Sequence, residues 1–399
     1  MFICMAAAAG AWSCTMPQRF RAMRIRGLNP RQQHVSCTDR ILPGLQHYRA
    51  PRWAANAHVQ TVVASRLSHK PPVGYQREIW LTPDEDQIAV DHVLPTPSQS
   101  RHQADVLQPS DALQPPDALQ PSDVLIPSDA TGHGKVQLVL FHGLEGSSQS
   151  HYSLAMMHAA SRLGWKACVV HFRGCGGLPN RQPRAYHSGD SAEIDWVLRR
   201  LRSTHRGFLF VVGISLGANA LLKWLGEQGE AANRVIDAAA GVCAPQDLRA
   251  GAYALARGMN LMYMRYFLNS LIPHALRRLE SFPGLYDRDS VLQSKTFIEF
   301  DEYVTAPLHG FQSAEHYWAS SSCGPWLAAI RTPCLILNPL NDPFVPATSL
   351  RAAAGLHRHV KLAYPRDGGH VGFIRGALPA AIDWMPQQLC AWFTETVYG

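Results

Sequence analysis

The chain has 399 residues, 46% of them hydrophobic and 17% charged, enough apolar material for one large core and too little charge for a mostly disordered protein. Its formal charge of +7 is unevenly placed: Arg19, Arg21, Arg24, Arg26 and Arg31 lie within residues 1–38, which hold no acid. No folded nucleic-acid motif accompanies this basic stretch, so no nucleic-acid partner is expected.

The opening MFICMAAAAGAWSC is apolar but too short to cross a bilayer, and its arginines follow it rather than precede it as in a signal peptide. Nine cysteines without CxxC pairs argue against a secreted disulfide framework. Both features point to a soluble, cytoplasmic protein.

Residues 1–40 read as a disordered basic tail, and 41–399 as one folded domain. Residues 77–82 and 87–94 flank the turn Pro83-Asp84-Glu85-Asp86 and predict a β-hairpin. A hexapeptide repeat follows over 105–128, DVLQPS-DALQPP-DALQPS-DVLIPS. Proline in every unit forbids helix and central strand alike, so 95–135 reads as an extended, Pro-rich insertion.

From Lys135 short apolar runs alternate with helix-like stretches. The runs are 136–141, 166–170, 208–212, 238–243, 334–338 and 360–364, each the length of a strand buried on both faces. Helical stretches such as 152–163, 190–203 and 218–228 lie between them. This alternation predicts a mostly parallel central sheet with helices on both faces. The interval 247–330 breaks the rhythm and reads as an inserted helical cap. Within it Leu255, Met259, Met262, Tyr263, Tyr266, Phe267 and Ser270-Leu271 recur at near-helical spacing. That stripe either packs the cap onto the sheet or lines an acyl pocket.

Residues 213–217 read Gly-Ile-Ser-Leu-Gly, between the apolar run FLFVV and the helical stretch ANALLKWLGE. This is the strand–turn–helix setting of G-x-S-x-G. Side chains at 213 and 217 would collide with neighbouring backbone, which explains both glycines. Ser215 then stands at a helix N-terminus, where N–H groups favour developing negative charge.

A serine hydroxyl needs a base, and in this setting the partners follow in the order Ser, Asp/Glu, His. His370 lies after the last run, in Pro-Arg-Asp-Gly-Gly-His. Asp342 lies after the preceding run, in Pro-Leu-Asn-Asp-Pro-Phe, and is the expected orienting acid. Asp247, after the run ending at Cys243, is its rival. The first run leads into His142-Gly143-Leu144-Glu145-Gly146. Two backbone N–H groups must face an oxyanion, and those of Leu144 and Leu216 are expected to do so. His142 is expected to shape this loop rather than to react. Together these features predict the α/β-hydrolase fold with an inserted helical cap.

The strings NAHVQT (56–61), HGLEGSS (142–148), HFRGCGG-LPNR (171–181), YHSGD (186–190), GISLGAN (213–219), EFDEYVTAPLHGF (299–311), NDPFVP (341–346) and GGHVGFI (368–374) occur in that order. In this the chain resembles the YheT-type branch of α/β hydrolases, the AB-hydrolase-4 family, over most of residues 50–396. The resemblance implies a triad of Ser215, Asp342 and His370. It also implies esterase-type activity, some relatives acting on acylglycerols or phospholipids. The hexapeptide repeat and the basic tail have no counterpart in it. The glycine-rich RGCGG suggests a phosphate loop, but neither GxGxxG nor GK(S/T) is present. Arg173 is expected to brace this loop, and Tyr186, His187 and Asp190 to be structural.

The expected activity is hydrolysis of carboxylic esters with short to medium, lipid-like acyl chains. A thioesterase, amidase or acyltransferase would use the same triad, and a non-catalytic binding protein could retain the fold. The expected partner is a small-molecule ester. No stable membrane insertion is expected, although transient contact with a lipid surface is compatible with the sequence. Nineteen histidines form no HExxH or comparable ligand set, so neither a metal nor a cofactor is expected.

Overall fold

The computed structural model describes residues 47–95 and 136–398; the basic tail and the hexapeptide repeat lie outside the described residues. Eight strands form one sheet: β1 (Tyr75–Leu81), β2 (Gln87–Val93), β3 (Val136–Phe141), β4 (Lys166–Val170), β5 (Phe208–Ile214), β6 (Ala238–Val242), β7 (Cys334–Leu337) and β8 (Val360–Ala363). Their order is β1-β2-β4-β3-β5-β6-β7-β8. The β1–β2 and β2–β4 pairs are antiparallel, and every other pair is parallel.

Alternation of side chains explains why the central runs are apolar at every position. Val139, Phe141, Leu209 and Val211 face one layer, packed with Ile194, Val197 and Leu198 of α3 (Ser191–Thr204) and with Leu221, Leu222 and Trp224 of α4 (Leu216–Gln228). Leu138, Leu140, Phe210 and Val212 face the other layer. There they meet Met156 and Met157 of α2 (His151–Arg162) and Leu389 and Phe393 of the C-terminal helix. Full burial of one such side chain contributes about 1.5–3 kcal/mol. A shorter helix, α1 (Ala57–Arg66), precedes the sheet and is capped by the Asn56 side chain, which accepts from the N–H groups of His58 and Val59.

Val93 and Val136, the strand ends flanking the undescribed 96–135, both lie at the amino edge of the parallel strands. The loops that carry Ser215, Asp342 and His370 leave the carboxyl edge, as expected for an open α/β sheet.

Between β6 and β7 the chain is largely helical. It forms α5 (Leu248–Leu255), the long α6 (Leu261–Ser281), α7 (Arg288–Gln293) and α8 (Ala314–Ser321), followed after β8 by the C-terminal helix α9 (Trp384–Tyr398). Tyr263, Met264 and Leu268 of α6 gather with Leu255, Phe300, Val304 and Phe344 in a separate apolar cluster. The apolar stripe read from the sequence is thus split. Leu255 and Tyr263 are buried, whereas Met259, Met262 and Tyr266 are exposed. Apolar residues occur on two faces of α6, and spacing alone does not tell which face turns inward. Among the described residues no helix is long and apolar enough to cross a membrane.

Candidate active site

Ser215 occupies the turn between β5 and α4 with φ 52° and ψ −113°, a left-handed backbone rarely adopted by a side-chain-bearing residue. A Cβ at Gly213 would come within 2.6 Å of the Ala218 backbone, and one at Gly217 within 2.5 Å of the Phe141 carbonyl. Close approach of backbone, as the sequence suggested, therefore demands both glycines. The Ser215 N–H donates to the Val242 carbonyl at 2.8 Å, pinning the turn to β6.

His370 stands on the loop after β8, with Nε2 2.9 Å from Ser215 Oγ. Its Nδ1 lies 2.9 Å from Asp342 Oδ2 and 3.1 Å from Oδ1. Asp342 follows β7 and is buried. Its Oδ1 also accepts the N–H groups of Phe344 at 2.8 Å and Val345 at 3.2 Å. The carboxylate is thus satisfied and fixed before it meets the imidazole. Asp247 is engaged elsewhere, capping α5 through the Ala250 N–H.

Other parts of the chain hold these loops. The His370 N–H donates to Thr61 Oγ1, and the Gly368 N–H to Gln60 Oε1. Both acceptors belong to α1 and to the NAHVQT string, which carried no assigned role in the sequence. The Phe344 ring lies 4.1 Å from that of His370. Cys243 is a further neighbour: its sulfur accepts the Val371 N–H and lies within 4.8 Å of the ligand atoms of Asp342 and His370. Burial pushes this thiol well above its ordinary value.

The loop after β3 passes directly under Ser215; a Cβ at Gly143 would lie 3.2 Å from the Ser215 Cβ. His142 is fully buried. Its Nε2 accepts the Phe172 N–H at 3.1 Å and its Nδ1 lies 2.7 Å from the Gly143 carbonyl. Burial holds this imidazole down at about 3, so it is neutral and structural. No acceptor among the described residues takes the N–H of Leu144 or of Leu216. Leu216 opens α4, where the first N–H groups have no intrahelical partner. Both residues line a cavity of about 890 Å³ together with Ser215 and His370.

Glu145, at φ 55°, ties this loop to its surroundings. Tyr186 Oη accepts the Glu145 N–H at 3.0 Å and donates to Glu145 Oε1 at 2.8 Å. The other carboxylate oxygen meets Ser270 Oγ and, at 3.1 Å, His274 Nδ1, both on α6. Burial opposes ionisation of Glu145, but the bonds from His274 and Ser270 outweigh it and hold the carboxyl below its ordinary value. Arg173 bridges Asp84 at 2.7 and 2.8 Å and Glu193. It joins the RGCGG loop to the β1–β2 turn and to α3. Asp190 caps α3 and pairs with Arg184.

The arrangement can move a proton from Ser215 to His370 and present two N–H groups beside the nucleophile. Apolar walls come from Leu248, Leu255, Phe267, Phe297 and Phe344. Comparison with known proteins agrees with the fold. Residues 137–377 match the family model described as alpha/beta hydrolase fold. The chain is 39% identical to YheT of Escherichia coli (strain K12) over 263 residues, covering 65% of this chain and 77% of that protein. It is 26% identical to Phospholipase ABHD3 of Mus musculus, covering 84% of this chain and 74% of that one. With the Monoacylglycerol lipase of Saccharomyces cerevisiae (strain ATCC 204508 / S288c) the identity is 27%, covering 84% and 77%.

Proposed function

The chain belongs to the α/β-hydrolase family, in its YheT-type branch, and on that footing we propose that it hydrolyses carboxylic esters through an acyl-enzyme on Ser215. The observation that carries this reading is the continuous relay from Ser215 Oγ to His370 Nε2 at 2.9 Å and from His370 Nδ1 to Asp342 Oδ2 at 2.9 Å.

In the first half-reaction His370 Nε2 takes the Ser215 proton as Oγ attacks the ester carbonyl carbon. The resulting oxyanion lies toward the N–H groups of Leu144 and Leu216. Asp342 holds the Nδ1–H tautomer and stabilises the imidazolium. The imidazolium then protonates the leaving alkoxide, so alcohol departs and the acyl group stays on Oγ. Water, deprotonated by the same nitrogen, attacks the acyl carbonyl. Collapse of that intermediate releases the carboxylic acid and returns the proton to Ser215.

The cavity walls favour an apolar acyl chain of short to medium length. The names of the yeast and mouse relatives, a monoacylglycerol lipase and a phospholipase, support a lipid-like ester. A fluorophosphonate probe tests the mechanism, since it labels only an activated serine. Wild-type protein should label and hydrolyse p-nitrophenyl esters. Ser215→Ala and His370→Ala should each lose activity by about 10⁴-fold or more while staying folded. Esterase activity retained in purified Ser215→Ala would overturn the proposal.

A further inference from the structure

Helix α6 is apolar on more of its surface than its packing requires. Tyr263, Met264, Leu268 and Ala275 bury its inner face. On its outer side Leu261 is 38% exposed, Met262 51% and Tyr266 58%, and Met259, on the 3-10 turn leading into the helix, is 65% exposed. Met262 and Tyr266 are four residues apart on α6 and so are surface neighbours, and Met259 lies on the turn immediately before the helix. A contiguous group of large apolar side chains left in water marks an interaction surface.

The two chain segments that carry this patch are basic. Residues 248–279 contain five arginines and no acid, and residues 47–77 contain four arginines, Lys70 and no acid. The two segments adjoin: Val62 of α1 packs into the cluster of Tyr263 and Met264, and the Arg66 guanidinium lies 5.2 Å from the centre of the Tyr266 ring. Exposed Arg66, Lys70, Arg257 and Arg265 therefore accompany the apolar side chains. The patch also borders a way inward. Tyr266 lines a hollow of about 470 Å³, and Glu145, Phe267 and His274 line both this hollow and the catalytic cavity.

We propose that this face of α6, with the end of α1, docks the protein on an anionic phospholipid surface. Met259, Leu261 and Met262 enter the boundary between headgroups and acyl chains, and the arginines pair with lipid phosphates, the pattern of an interfacial amphipathic helix. A second copy of the chain is a poorer occupant. A two-fold contact through this face would bring Arg66, Arg257 and Arg265 of one copy toward the same residues of the other. Docking does not depend on the ester-hydrolase reading. If both hold, the hollow beside Tyr266 opens next to the lipid.

Cosedimentation of the full chain with vesicles tests the proposal. Wild-type protein should bind vesicles of mixed phosphatidylglycerol and phosphatidylcholine, bind pure phosphatidylcholine far less, and be released by salt. The double variant Met259→Glu, Met262→Glu should keep its melting temperature and lose at least about fivefold of the bound fraction. Because residues 1–38 are basic, the glutamine variant Arg19→Gln, Arg21→Gln, Arg24→Gln, Arg26→Gln, Arg31→Gln is also needed, and it should still bind. The proposal is overturned if wild type does not bind, if the double variant binds like wild type, or if the glutamine variant abolishes binding. Self-association that Met259→Glu, Met262→Glu removes, without vesicle binding, would identify a second copy as the occupant instead.

Discussion

His370 Nδ1 lies 2.9 Å from Asp342 Oδ2, and the carboxylate that holds it is itself held by the N–H groups of Phe344 and Val345. Asp247, the other acid at the end of a central strand, spends its side chain on the first turn of α5. Asp342→Asn should therefore cost on the order of 10⁴-fold in kcat, because an amide stabilises the wrong tautomer and no imidazolium. Asp247→Asn should leave kcat within a few-fold. Steady-state kinetics on both variants decide the matter; a crippled Asp247→Asn beside an active Asp342→Asn would move the acid to β6.

Tyr186 reaches the oxyanion loop through two bonds to Glu145, the residue after Leu144. Tyr186→Phe removes both and frees the loop to shift, while keeping the ring stacked on Phe172. We expect kcat to fall roughly tenfold with KM little changed, since an oxyanion donor is worth about 10²–10³ and here it is displaced rather than deleted. An unchanged kcat would show that the Leu144 N–H is held without Tyr186.

Phe267 lies 6.1 Å from Phe344, and Phe344 lies 4.1 Å from His370, ring centre to ring centre. The ring is thus part of the wall nearest the triad. Activity on p-nitrophenyl esters should rise from acetyl toward medium chains, each buried methylene adding up to about 0.8 kcal/mol. Phe267→Ser should flatten that rise and spare acetyl ester hydrolysis. Acetyl esters being the best wild-type substrates would remove the acyl-pocket role from α6.

Burial raises the Asp301 carboxyl from 3.8 to about 6, against bonds from Thr305 and Trp318. A carboxyl with a higher pKa folded than unfolded stabilises the fold below its unfolded pKa and loses that contribution as pH rises through the folded one. The loss falls between about pH 4 and pH 6. Asp301→Asn has no charge to bury, so from about pH 4 to about pH 7.5 its stability should improve relative to wild type by on the order of 2–3 kcal/mol. Urea unfolding at the two pH values measures this; a constant difference between the two proteins would show that Asp301 does not titrate with folding.

The local elements and their order were legible from the residues alone. The run 136–141 is β3 from end to end, and 166–170 is β4, because residues buried on both faces must be apolar at every position. Glycine at 213 and 217 fixed the place of Ser215, since only a missing side chain permits that turn. The order of Ser215, Asp342 and His370 was legible because each follows a recognisable strand. What meets across long separations emerges only once the chain is folded. Thr61 supports the His370 loop from 309 residues away, and Ser270 reaches Glu145 from 125 residues away. Local periodicity holds no record of such pairings. The same limit governed α6. Its sequence is apolar on two sides, and only the surfaces around it determine that Phe267 lines the cavity while Met262 faces water.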